Sequence, residues 1–196
     1  MSAQDRTFWE DIYRDTPRPG WDMGRATPVL AELLDLPACR ESGPAWVVPG
    51  CGFGHDAAEL ARRGFRVTGV DFALAAVQGA RERYGDLVRW VQEDWFAPSV
   101  DVYDGIFDYT CFAAMEPDRR GAYLDACARR LRPGGLWLAG CFHAVTTPPG
   151  PPYAMTLDEV RRLVEPRFEV LHLDHATRSH PRRQGREFLV AARFRG

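Results

Sequence analysis

The chain has 196 residues, 45% of them hydrophobic, enough for one domain with a sizeable core. Its 25 Lys and Arg against 27 Asp and Glu leave a formal charge of −2, so it lacks the basic excess by which a chain binds nucleic acid or an anionic membrane surface. Five scattered cysteines (Cys39, Cys51, Cys111, Cys127, Cys141) with no C-x-x-C argue against a disulfide framework or a zinc site and suit a reducing cytoplasm.

The N-terminus MSAQDRTFWEDIYRD is charged and lacks an export signal's apolar run. No segment reaches the ~18 consecutive apolar residues of a spanning helix. A cytoplasmic monomer acting on a small molecule, with neither membrane nor nucleic acid as partner, is the expectation. Residues 1–44 are aromatic and proline-punctuated, with TPRPGWDMGRATP between two short helices. Trp9, Tyr13 and Trp21 either pack as core or form a lid, and the segment is assigned as a helical lid on a domain spanning 45–196.

From residue 45 onward apolar runs alternate with helical patterns, the signature of a parallel sheet flanked by helices. Strands are predicted at Ala45–Val48, Arg66–Val70, Val88–Gln92, Gly105–Tyr109, Leu136–Phe142, Phe168–Asp174 and Glu187–Arg193. Helical spacing appears in His55–Arg63, Leu74–Tyr84, Arg119–Leu131 and Leu157–Val164. In LRPGGLWLAG, Pro133 and Gly134-Gly135 stop a helix before the next strand opens. HATRSHPRRQGRE carries no helical pattern, so the last two strands pair antiparallel as a long hairpin, with Arg178, Arg182, Arg183 and Arg186 read as a solvated tip. His172 and His175 fall on opposite strand faces, so with His180 they make no metal site. The predicted fold is α/β, a Rossmann-like doubly wound seven-stranded sheet, mostly parallel with an antiparallel C-terminal hairpin strand.

The stretch WVVPGCGFGHDAAEL places Gly50, Gly52 and Gly54 on the first strand-to-helix turn, where open α/β sheets bind ligands. Asp71 ends the second strand, where a carboxylate can hold a ribose diol in either an NAD or an S-adenosylmethionine (SAM) site. Two features separate these. The pattern is G-x-G-x-G followed by His55-Asp56, and an acidic side chain at that turn repels a pyrophosphate but tolerates the ammonium of SAM. Asp94, followed by Trp95 and Phe96, can accept from the adenine amine while an aromatic covers the ring.

VPGCGFGHD, VTGVDFA, QEDWF and LRPGGLWLAG resemble, in order, the motifs of class I SAM-dependent methyltransferases. GWDMGRATPVL, FDYTCFAAMEPDRRGAY and GPPYAMT resemble the thiopurine S-methyltransferase superfamily, closest to its halide and thiol methyltransferase branch, and the likeness runs from Phe8 to Phe194. By that resemblance Trp9 and Trp21 cover SAM and Gly50 and Cys51 line its amino-acid end. Asp71 holds the ribose, Asp94 and Trp95 frame the adenine, and Tyr109 faces the methyl group; Gly52, Asp56 and Phe72 complete the cofactor-binding set. Tyr109 and Tyr153 are the catalytic candidates. Phe107-Asp108-Tyr109-Thr110-Cys111-Phe112 follows the branch pattern FDYxFF except at Cys111, which enlarges the acceptor pocket.

The implied reaction is an in-line displacement from SAM, with S-adenosylhomocysteine as product, onto a halide, hydrosulfide or thiol. Positioning and exclusion of water carry most of its rate. A thiol must be favoured as thiolate by Tyr109, Tyr153 or the arginine cluster. A thiopurine-like or natural-product enzyme with a larger acceptor, suggested by Cys111 and the TTPPGPPY loop, is the second reading. Two readings of a different class are an NAD oxidoreductase and a non-catalytic SAM-binding protein.

Overall fold

The apolar runs assemble one seven-stranded sheet in a computed structural model that describes residues 6–145 and 150–196. The first half of the TTPPGPPY loop (146–149) lies outside the described residues. Strands β1 (Ala45–Pro49), β2 (Arg66–Asp71), β3 (Arg89–Gln92), β4 (Tyr103–Tyr109), β5 (Leu131–Phe142), β6 (Phe168–His175) and β7 (Glu187–Phe194) lie in the order β3-β2-β1-β4-β5-β7-β6. The first five are parallel, and β7 runs antiparallel to both β5 and β6. Strand order reverses between β1 and β4, the switch point at which such sheets leave a crevice beyond the strand ends.

Helices α1 (Arg6–Asp15), α2 (Pro28–Leu34) and α3 (Pro37–Arg40) precede the sheet; α4 (His55–Arg62), α5 (Leu74–Tyr84), α6 (Cys111–Ala114), α7 (Arg120–Arg129) and α8 (Leu157–Val164) connect its strands. Side chains alternate across a strand, so Trp46 and Val48 pack with α2, α4 and α5 through Leu30, Leu60 and Val77. Val47 belongs to the core with Leu124 of α7, Val160 of α8 and Trp137 of β5. Trp46 and Trp137 are each 0% exposed. At ~25 cal/mol per Å² over the roughly 150–250 Å² a buried aromatic covers, each contributes about 4–6 kcal/mol before entropy, so each core has a tryptophan anchor.

The α8 helix starts on a capping box: the Thr156 hydroxyl accepts from the Glu159 N–H (3.2 Å) while Glu159 accepts from the Thr156 N–H (2.6 Å). Several boundaries shift by one or two residues from the sequence expectation, and the start of β5 shifts furthest. The Pro133-Gly134-Gly135 stretch does not separate a helix from a strand; β5 already begins at Leu131, and these three residues bulge out between the Tyr103–Leu131 and Gly105–Leu136 pairs. A bulge tolerates a proline with no N–H to give the ladder. Among the described residues, no helix is long and apolar enough to cross a membrane.

The N-terminal 44 residues divide in two. Val29, Leu30 and Leu33 of α2 are buried core, whereas α1 and the stretch through Trp21 border the crevice.

Candidate active site

The turn after β1 brings neighbouring groups against bare backbone. Gly50 and Gly52 have φ of +56° and +52°, a left-handed region costing an L side chain about 1–2 kcal/mol. A Cβ on Gly50 would stand 2.8 Å from the Cys111 sulfur, and one on Gly52 2.8 Å from the Tyr13 hydroxyl oxygen. The Gly52 N–H (2.9 Å) and the Ala73 N–H (3.0 Å) donate to the two oxygens of Asp71, which is 4% exposed. Burial pushes the Asp71 carboxyl up to about 6, against the pull of these backbone donors. A carboxylate keeps further lone pairs after two such bonds, and Asp71 borders the cavity.

That cavity encloses about 540 Å³ beyond the strand ends. Gly50, Asp71, Phe72, Asp94 and Trp95 line it from the ends of β1, β2 and β3. Asp94 turns one oxygen back to the Phe96 N–H (3.0 Å), and Trp95 is anchored by the Arg130 guanidinium 4.3 Å from its ring centroid. Thr110, Cys111 and Phe142 form the opposite wall with Arg182, Arg183 and Arg186.

From the N-terminal segment, Trp9, Tyr13 and Trp21 line the cavity. Trp21 packs edge-on to Trp9 (5.1 Å) and Tyr13 (5.9 Å), and its Nε1–H donates to the Tyr13 hydroxyl at 3.3 Å. Both oxygens of Glu10 in α1 accept the Ala75 N–H (3.1 and 3.3 Å), capping α5 from another element. His55 Nε2 lies 3.0 Å from Asp22, and its Nδ1 lies 2.6 Å from the Tyr84 hydroxyl. This N-terminal segment is therefore tied to the domain by polar contacts at both ends.

Five of the sequence-predicted residues stand off the cavity wall. Asp56 does not point into the glycine turn; its carboxylate accepts the Thr27 N–H at 2.7 Å, fixing the start of α2, and burial pushes it up to about 6. Cys51 packs into the core beside Gly69, its thiol raised by burial. Gly52 serves through the N–H given to Asp71. Tyr109 donates its hydroxyl to Glu187, 1% exposed, and burial raises the phenol well above its usual value, so it holds its proton at neutral pH. Tyr153 is engaged through its backbone, donating its N–H to the Ala113 carbonyl (2.7 Å) and accepting from Arg120 (3.4 Å).

The arginine cluster also corrects its sequence reading. Arg178 is a surface residue paired with Asp35 (2.6 Å) and Arg182 is exposed, donating to the Gly20 carbonyl (3.0 Å). Arg183 is only 7% exposed. Its Nη2–H donates to the Trp21 carbonyl (2.7 Å), its plane lies over the rings of Tyr109 (4.9 Å) and Phe142 (5.4 Å), and its buried Nη1 has no partner among the described residues. The hairpin folds back over the crevice because α2 receives it: Glu32 accepts from the Thr177 and Arg178 N–H groups (3.1 and 2.7 Å). The cavity thus carries Asp71, Asp94 and an Arg130-paired Glu93 from the ends of β2 and β3, with Arg119 over the Phe96 ring beside them, and the arginines of the β6–β7 hairpin. Glu93 and Thr110 join the site from structure without a local signal in the sequence, whereas Tyr13, read as core or lid, and Arg183, one of the four arginines offered as favouring a thiolate, are brought to the cavity wall.

A switch-point cavity with a glycine turn after β1 and carboxylates ending β2 and following β3 defines a class I SAM-dependent methyltransferase. The residues fit that donor: Gly50 presents bare backbone on the cavity wall, where a Cβ would meet the Cys111 sulfur, and Asp71 and Asp94 keep lone pairs that can accept from a ribose diol and an adenine amine. The family model described as thiopurine S-methyltransferase matches residues 4–193. A thiocyanate methyltransferase of Brassica oleracea is 33% identical over 192 residues, covering 92% of this chain and 82% of the relative. A thiopurine S-methyltransferase of Photobacterium profundum is 25% identical over 198 residues, covering 92% of each. The solved 1,6-didemethyltoxoflavin-N1-methyltransferase of Burkholderia thailandensis, with S-adenosylhomocysteine bound, superposes with a TM-score of 0.74 at 25% identity over 97% of this chain and 87% of that one. The chain belongs to the thiopurine S-methyltransferase family and is a SAM-dependent methyltransferase, which removes the NAD reading.

Proposed function

We propose that this enzyme methylates a small, soft, anionic acceptor, such as a thiolate, hydrosulfide, iodide or thiocyanate. The observation that carries the reading is Arg183, a buried cation on the cavity wall with an uncommitted Nη1. A guanidinium in a water-poor site is costly unless paired with an anion or hydrogen-bonded throughout. The apolar surroundings supplied by Phe142, Cys111 and Met115 suit a large, weakly hydrated anion. The related Brassica enzyme is named for thiocyanate, which fits the same chemistry.

The donor's ribose and adenine would lie along Asp71, Asp94 and Trp95, with Gly50 at its amino-acid end. SAM, when bound, would supply an electrophilic methyl group: the nucleophile would bond to the methyl carbon as the carbon–sulfur bond breaks, with the thioether S-adenosylhomocysteine as leaving group. Arg183 holds the acceptor's charge and favours a thiol as its thiolate. Tyr109 and Glu187 position Arg183 from beneath, and the Trp9–Tyr13–Trp21 cover excludes water. No general base is required, because the acceptor arrives as the anion.

Headspace gas analysis after incubation with SAM and iodide, hydrosulfide, thiocyanate or thiols tests the reading. Arg183→Met is expected to lower kcat/KM for anionic acceptors about 100-fold, the scale of a lost charge-assisted hydrogen bond. S-Adenosylhomocysteine affinity should change less than about threefold, and Arg183→Lys should recover part of the loss. Absence of methylation on every anion despite tight S-adenosylhomocysteine binding refutes it.

A further inference from the structure

Thr110 joins β4 to α6 with φ +76° and ψ −19°. The ten other described residues with positive φ are all glycine, which enters this region without steric cost, whereas a β-branched side chain there is strained. A threonine just before a helix is ordinarily explained by capping. Here its hydroxyl makes no cap hydrogen bond. That work falls to Asp108, which accepts the Phe112 N–H at 3.1 Å and the Tyr123 hydroxyl. Thr110 is not core either: it is half-buried and lines the cavity next to Cys111, on the wall shared with Arg183. Its carbonyl accepts the Ala114 N–H at 2.9 Å, so the turn uses its backbone, while its hydroxyl has no hydrogen-bond partner among the described residues. Neither conformation, capping nor packing accounts for a threonine at this position.

We propose that Thr110 is a specificity-determining residue, held in a strained turn so that its hydroxyl donates a hydrogen bond to the anionic methyl acceptor. The proposal rests on the anionic-acceptor reading above. Strain at a ligand wall persists when the geometry it holds is useful, and glycine, which would relieve it, has no hydroxyl to offer.

The test compares Thr110→Ser, Thr110→Ala and Thr110→Gly with the wild type by melting temperature, by calorimetry of S-adenosylhomocysteine, and by calorimetry of iodide and thiocyanate added to the S-adenosylhomocysteine complex, with kcat/KM measured alongside. Thr110→Gly should raise the melting temperature by roughly 2–4 °C as the strain is relieved. Both Gly and Ala should weaken anion binding and lower kcat/KM about tenfold or more, as expected for a lost hydrogen bond to a charged partner. S-Adenosylhomocysteine affinity should stay within about twofold, and Thr110→Ser should keep anion affinity within about threefold. The proposal is overturned if Thr110→Gly binds and methylates like the wild type, if Ser loses as much as Ala, or if S-adenosylhomocysteine affinity falls in parallel with anion affinity. A wild type that neither binds nor methylates any anion overturns the anionic-acceptor reading itself, a pattern distinct from a defect confined to the variants.

Discussion

Gly52→Ala asks whether the N-terminal cover rests directly on the glycine turn. The new methyl group would stand 2.8 Å from the Tyr13 oxygen, with the next ring atoms at 3.5 and 3.6 Å. The substitution therefore has two costs: about 1–2 kcal/mol for alanine at φ +52°, and displacement of a hydroxyl that accepts from Trp21 at 3.3 Å, about 1 kcal/mol. Gly64→Ala isolates the first cost, since Gly64 has φ +97° with nothing within 4 Å of its Cβ position. Tyr13→Phe isolates the second. In the double variant only the ordinary contacts at 3.5 and 3.6 Å remain, so it should be less damaged than the two single variants summed. The expected coupling is about 1 kcal/mol, roughly fivefold in the dissociation constant of S-adenosylhomocysteine. Calorimetry on wild type, both single variants and the double variant measures it. Additivity within about 0.3 kcal/mol would show that Tyr13 does not sit on the turn, and the account of the cover would fail.

Glu10→Ala removes the side-chain carboxylate that caps α5, whose own N-cap residue Ala73 supplies no side-chain bond. It should lower stability by about 1 kcal/mol and speed proteolysis between residues 16 and 24 several-fold; unchanged cleavage would count against the tie. Asp108, 0% exposed, has its carboxyl pushed up to about 6 by burial from an ordinary 3.8. The folded state then holds the proton more tightly than the unfolded one, so this contribution is full below about pH 4 and is lost as pH rises through 6. Asp108→Asn removes that titration, so its stability relative to wild type should improve by about 1–3 kcal/mol between pH 4 and pH 7. Parallel melting curves across that range would refute it.

Much of this molecule was legible before any tertiary structure. The strand-and-helix alternation, the antiparallel C-terminal pair and the glycine turn are written in local periodicity and turn residues, which depend on a few neighbours. So are the positions of Asp71 and Asp94, because a residue at a strand end in an α/β sheet faces the crevice by topology. The motif likeness to the thiopurine S-methyltransferase superfamily agrees with the family match over residues 4–193.

Side-chain direction and long-range pairing were decided only in three dimensions. Asp56 reads as facing the turn, yet the start of α2 supplies an N–H that draws it away. Tyr109 ends a strand at the crevice, yet Glu187, 78 residues further along, claims its hydroxyl. Arg183 looks like the tip of a polar hairpin until Glu32 anchors that hairpin and Trp21 receives the guanidinium 162 residues away. Local sequence determines which elements form and in what order, because those preferences are short-range. Which charge faces the acceptor depends on contacts between segments that meet only when the chain closes over its own sheet.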